Sequence, residues 1–154
     1  MRIYIGGDHA GFKLKEKVKW FLLKEGHVVE DVGPFSYNKD DDYPNYAFSL
    51  AEKVGKDKDS FGIVIAGSGI GECICANKVR GIRAVMYHGG RTKILDTARE
   101  HDDANVLCFG SWFVGEKEAK EGIRVFLKTK FSDAVRHKRR LGKIKKFEER
   151  HWKR

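Results

Sequence analysis

Short apolar runs alternate with longer amphipathic ones along this 154-residue chain, and the alternation leaves few folds open. Residues 2–7, 27–32, 61–66, 82–87 and 104–109 are rich in Ile, Val, Phe and Tyr, the composition of strands buried on both faces. Between them the apolar period is helical. Residues 12–26 place Leu14, Val18, Phe21 and Leu22 on one face and end on Gly26, a helix stop. Residues 43–54 carry Pro44 in the first turn. Further helices are expected from Glu72, over 90–101 and over 116–128. Strands separated by helices predict one α/β domain over residues 1–154. Its five-stranded parallel sheet is doubly wound, with helices on both faces. Such sheets bind ligands beyond the carboxyl ends of their strands. That rule gathers Asp8 and His9 after the first strand, residues 67–72 after the third and His88 after the fourth.

Composition removes several function classes. No run of about 18 apolar residues exists, so a membrane partner is not expected. Residues 1–7 read as a strand, without the features of a secretory leader. The cysteines are Cys73, Cys75 and Cys108, an odd number, which predicts free thiols and a cytoplasmic location. Cys73 and Cys75 lack the two-residue gap common in zinc sites, and no metal is expected. The net charge of +9 is uneven. Residues 131–154 hold ten Lys and Arg against three Asp and Glu, a net +7. They read as a basic C-terminal tail, helical over 133–150. A tail of this charge suits nucleic acid or another anionic surface, or is simply a solvated helix. It carries no recognised nucleic-acid reading motif, and the solvated reading is preferred.

Four groups of residues could carry chemistry. Gly67-Ser68-Gly69-Ile70-Gly71 joins a strand to a helix. Its amides can face an anion or oxyanion, and its glycines permit close ligand approach. Glu72 follows at the helix start. There it is either a stabilising charge, worth roughly 0.3–1 kcal/mol, or a base. The helix dipole lowers its pKa and burial raises it. His101, before Asp102 and Asp103, is either a C-terminal helix cation or a tuned proton-transfer group. Arg136 and Arg140 are four apart on one helical face and suit a phosphate.

Together these stretches resemble the ribose-5-phosphate isomerase B family, which is similar to the galactose-6-phosphate isomerase subunits. The resemblance is carried by Gly7-Asp8-His9-Ala10-Gly11-Phe12 with Leu14-Lys15, and by Asp42-Tyr43-Pro44. The glycine loop, Ala76-Asn77-Lys78 and Gly81-Ile82-Arg83-Ala84 continue it. So do residues 101–107 and Arg136-His137 with Arg140. It runs in order over residues 1–144.

The resemblance implies a Rossmann-like sheet and a homodimer, or a larger tetramer, with sites at the subunit interface. It implies interconversion of ribose 5-phosphate and ribulose 5-phosphate through a cis-enediolate, without metal or organic cofactor. By position, His101 helps open the furanose ring. The amides of Gly67, Gly69, Ile70 and Gly71, with Ser68, stabilise the enediolate. His9, Arg136 and Arg140 hold the phosphate, the arginines from the other subunit. Asp8, Tyr43 and Asn77 contact the sugar. Many members carry a cysteine base where this chain has Ala66, whereas another branch places a glutamate after the loop, here Glu72. The base is therefore assigned to Glu72, and Cys73 and Cys75 to packing. Asp102 stands where the family usually has Asn, and Trp112 where it often has Arg. These two departures keep two alternatives open: an isomerase of a four- or six-carbon aldose phosphate, and a non-catalytic sugar-phosphate or nucleic-acid binder.

Overall fold

The computed structural model describes residues 1–152. Five parallel strands form one sheet: β1 (Arg2–Gly7), β2 (Val28–Asp31), β3 (Ser60–Ala66), β4 (Ala84–Tyr87) and β5 (Val106–Gly110). Their spatial order is β2-β1-β3-β5-β4. The helices are α1 (Phe12–Lys24), α2 (Tyr43–Lys56), α3 (Ile70–Ala76), α4 (Lys93–Asp102), α5 (Glu116–Lys128) and α6 (Val135–His151). This is the Rossmann-like doubly wound sheet expected. None of the helices is long and apolar enough to cross a membrane.

Alternation within each strand divides the core into two layers. Ile3, Ile5, Ile63, Ile65, Leu107 and Phe109 face one way and pack with Val18, Leu22, Leu95, Ile123 and Phe126 from α1, α4 and α5. Tyr4, Val64, Val106 and Cys108 face the other way, toward Leu50, Ala51, Val54 and Ala76 of α2 and α3. Each fully buried aliphatic or aromatic side chain contributes roughly 1.5–3 kcal/mol. β1 connects outward to β2 through α1, whereas β3 connects the opposite way to β4 through α3. The crevice between the carboxyl ends of β1 and β3 is therefore a topological switch point.

Several boundaries differ from the sequence reading. The second strand shortens to its ladder with β1, from Arg2↔Val28 to Ile5↔Asp31. β4 starts at Ala84 rather than residue 82, because side chains hold the segment before it: Asn105 Nδ2 donates to the Gly81 carbonyl, and its Oδ1 accepts from the Arg83 amide. α4 begins at Lys93 rather than residue 90, because Gly89 and Gly90 hold φ of 93° and 84°, outside right-handed helix. α6 starts at Val135 rather than 133, because Asp133 has φ 55°. Of the expected tail, Lys153 and Arg154 lie outside the described residues.

Candidate active site

Backbone closeness at the switch point comes from glycine. A Cβ on Gly7 or Gly11 would sit 1.9 or 1.8 Å from the Ile65 carbonyl oxygen. Only glycine lets the turn after β1 lie against the end of β3. Asp8 Oδ1 accepts the Gly11 amide at 2.9 Å and closes that turn. Past β3, Gly69 adopts φ 75°, and Ser68 Oγ accepts the Ile70 amide at 3.3 Å. The amides of Ser68, Gly69 and Gly71 have no partner among the described residues, so the loop keeps donors for an oxyanion. The Tyr43 ring lies over Gly71 and the Trp112 indole over Gly67, each within 3 Å of where a Cβ would stand. His88 joins from the end of β4, its Nε2 3.2 Å from the Ser68 carbonyl oxygen, with Phe113 edge-on to it.

Glu72 lies in the first turn of α3 and is only 3% exposed. Burial pushes its carboxyl up to about 7, its own amide pulls the other way, and the charges of Asp8 and Asp41 add to the rise. Desolvation therefore wins over the helix start, the balance that sequence leaves open. A carboxyl near 7 is matched to proton transfer at neutral pH. Ala66 ends β3 buried and without a titratable group. Cys75 is buried, and Cys73 packs against Cys108 and the Ala84 carbonyl, consistent with packing roles.

His9 completes this acidic crevice. Asp41, from the 32–42 loop, accepts both its amide and its Nδ1–H through one oxygen, at 3.2 and 2.7 Å. That hydrogen bond, against a smaller cost of burial, raises the imidazole above its ordinary range. Asp41 was absent from the sequence-derived site: in the Asp40-Asp41-Asp42 run it reads as solvated loop charge.

The other expected residues gather elsewhere. α4 runs back from the carboxyl edge, so His101 and Asp102 at its end lie at the amino edge of the sheet. There the His101 and His137 rings stand 4.3 Å apart. Buried His137 accepts from Arg136 Nε at Nε2 and lies 2.7 Å from Ser132 Oγ at Nδ1. Arg136 and Arg140 stay exposed at the start of α6. Glu148 anchors the far end of that helix by accepting the Gly81 amide at 3.2 Å. The seven residues of β3 separate the two edges by about 20 Å. Within one chain, then, Glu72 shares the carboxyl edge with Asp8, His9, Ser68 and Tyr43, whereas His101, Asp102, Arg136 and Arg140 lie at the amino edge.

Asn77, expected to contact the sugar, is engaged with the backbone of β4 in this structure. Its amide donates to the Ala84 carbonyl at 3.0 Å and accepts the Ala84 amide at 2.9 Å. It pins the start of β4 from the end of α3. Among the described residues no group of three His, Cys, Asp or Glu is placed to hold a metal.

A free-amide loop facing a buried carboxyl poised near 7, at the switch point of a parallel sheet, defines an α/β protein built for proton transfer. The chain belongs to the ribose/galactose isomerase family, whose sequence profile matches residues 3–144. It is 42% identical to the ribose-5-phosphate isomerase B of Mycolicibacterium paratuberculosis over 98% of this chain and 94% of that one. Among solved structures it resembles Mycoplasma genitalium ribose-5-phosphate isomerase B with bound ribulose-5-phosphate, with TM-score 0.90, 41% identity and 96% of each chain covered. It also resembles the Clostridium thermocellum ribose-5-phosphate isomerase B, with TM-score 0.91, 40% identity and 98% and 99% covered.

Proposed function

We propose that this protein interconverts ribose 5-phosphate and ribulose 5-phosphate, with Glu72 as the base. The observation that carries the reading is the buried Glu72 carboxyl, raised to about 7 beside the glycine loop. The relative from Mycoplasma genitalium, similar along nearly its whole length, holds ribulose-5-phosphate. In the forward direction, ionised Glu72 takes the proton from C2 and the electron pair moves onto the aldehyde oxygen. The loop amides and Ser68 hold the resulting cis-enediolate. Neutral Glu72 then returns the proton to C1, and the proton of the C2 hydroxyl passes to the C1 oxygen, which leaves a ketone at C2 and a hydroxyl at C1. No atoms are gained or lost.

The remaining roles need a second copy. His101 opens the furanose ring, with Asp102 beside it, and Arg136 and Arg140 hold the phosphate together with His9. The separation of the two edges within one chain supports a homodimer in which the amino edge of one copy faces the carboxyl edge of the other. Asp8 and Tyr43 contact the sugar, and Trp112, over Gly67, lines its path. The chain acts as one domain, and its three free cysteines fit a cytoplasmic location.

The test is ketose formation by purified protein from ribose 5-phosphate, beside four- and six-carbon aldose phosphates, with EDTA present. Preferred turnover of ribose 5-phosphate is expected. Preference for another sugar would shift specificity to Trp112 and Asp102, and silence on every sugar would overturn the reading.

A further inference from the structure

The 32–42 loop begins at a strongly braced point. Lys15, fully buried, donates to both oxygens of Asp31 at 2.8 and 2.7 Å, and Asp31 Oδ1 also accepts the Gly33 amide at 2.9 Å. From there the loop crosses the carboxyl end of β1 and turns back through the Asp41 amide, which donates to the Asn38 carbonyl. This places the Asp41 side chain under His9, where it is 3% exposed.

Asp41 Oδ1 carries both bonds to His9, while its Oδ2 is buried with no partner among the described residues. Leaving a buried acceptor unpaired costs about 1–3 kcal/mol, and more when it is charged. A loop that needed only an anchor would be served by a neutral acceptor. The charge has a use at His9. With Nδ1–H given to a carboxylate, the ring holds one orientation and its Nε2 is left free. The aromatic edge of Tyr37 covers the ring 6.3 Å away.

Resting on the reading of the site as a sugar-phosphate isomerase, we propose that Asp41 is a positioning residue that fixes the orientation and positive charge of His9, making Nε2–H the donor to the substrate phosphate. The charges facing His9 are Asp8 on the turn after β1 and Asp40 and Asp41 on the loop. Asp41 also faces Tyr46 of α2 and Glu72 of α3, and raises both. One carboxylate thus serves the phosphate end of the crevice and the base.

Asp41→Asn and Asp41→Ala test this in the intact protein. Nitrogen NMR of ligand-free protein, with the His9 signals identified by their loss in His9→Gln, follows the imidazole titration. The Asn variant, of the same size and still an acceptor, is expected to lower the His9 midpoint by about one pH unit. Affinity for inorganic phosphate at pH 7.5 should weaken about tenfold. KM for ribose 5-phosphate should rise by a similar factor, with kcat changed less than about threefold. Because Asp41 also raises Glu72, the acid limb of the rate profile should move to lower pH. An unmoved His9 titration, or unchanged phosphate affinity, in Asp41→Asn overturns the proposal. The NMR and phosphate arms need no turnover, so they stand even if no aldose phosphate is isomerised. If Asp41→Ala fails to fold, Asp41→Asn alone carries the test.

Discussion

The two edges of the sheet are built on opposite principles. At the carboxyl edge the groups are sheltered and acidic: Glu72 is buried, Asp41 is 3% exposed, and glycine turns after β1 and β3 bring the backbones into contact. At the amino edge they are basic and open: Arg136 and Arg140 stand in solvent, with His101 half-buried beside His137. The first edge can move a proton, and His9 is its proposed contact to the phosphate. The second carries the exposed guanidiniums proposed to hold the phosphate. In the proposed homodimer each edge supplies what the other lacks.

The largest effect should follow from removing the one group that the carboxyl edge alone provides. Glu72→Gln is expected to lower kcat by about 10³–10⁴-fold with KM little changed. A loss below about tenfold in steady-state kinetics would remove Glu72 from the role of base. The sharpest break of the comparison comes from mixing defects. Glu72→Gln and His101→Gln should each be nearly inactive alone. Co-expressed, random pairing gives half heterodimers, each with one intact site, and about a quarter of wild-type activity returns. If both groups worked within one chain, mixing would restore nothing. At the basic edge, Arg140→Ala should raise KM for ribose 5-phosphate by about 10–100-fold, the worth of a charge-assisted hydrogen bond. An equal fall in kcat with KM unmoved would assign Arg140 to the reacting carbons instead.

How far each edge was legible in sequence follows from the same physics. The central strands β1, β3 and β5 are buried continuous apolar runs, and the edge strands β2 and β4 are short Val-containing runs between helical stretches, so all five strands were visible. The rule that such sheets bind ligands beyond the carboxyl ends of their strands then placed Asp8, His9 and the glycine loop together from sequence alone. Element ends failed where a left-handed residue intervened, at Gly89, Gly90 and Asp133, because pattern alone does not reveal φ. Asn77 lay in a recognisable stretch, yet its amide is consumed by Ala84. Asp41 was illegible for a different reason. Its neighbours Asp40 and Asp42 are ordinary exposed loop acids, and only the three-dimensional path of the loop buries the middle one. The protonation of Glu72 was likewise beyond reach, since it depends on how much burial outweighs the helix start.

That burial makes a last prediction in which activity plays no part. The Glu72 pKa rises from 4.5 unfolded to about 7 folded, so between those values the folded protein binds more protons than the unfolded one. Its contribution to stability is then fully present below pH 4.5 and is lost as pH rises through 7. The loss is at most about 3 kcal/mol. Gln is neutral throughout and avoids it. Glu72→Gln should therefore match the wild type in denaturant midpoint at pH 4 and exceed it at pH 8, with an unchanged slope. The basic edge offers no such gain at Arg140, whose side chain is exposed and whose removal should leave stability within about 0.5 kcal/mol. Equal midpoints for Glu72→Gln and wild type at pH 8 would mean that Glu72 is ionised at little cost. The contrast between a strained proton-transfer edge and a relaxed phosphate-binding edge would then fall.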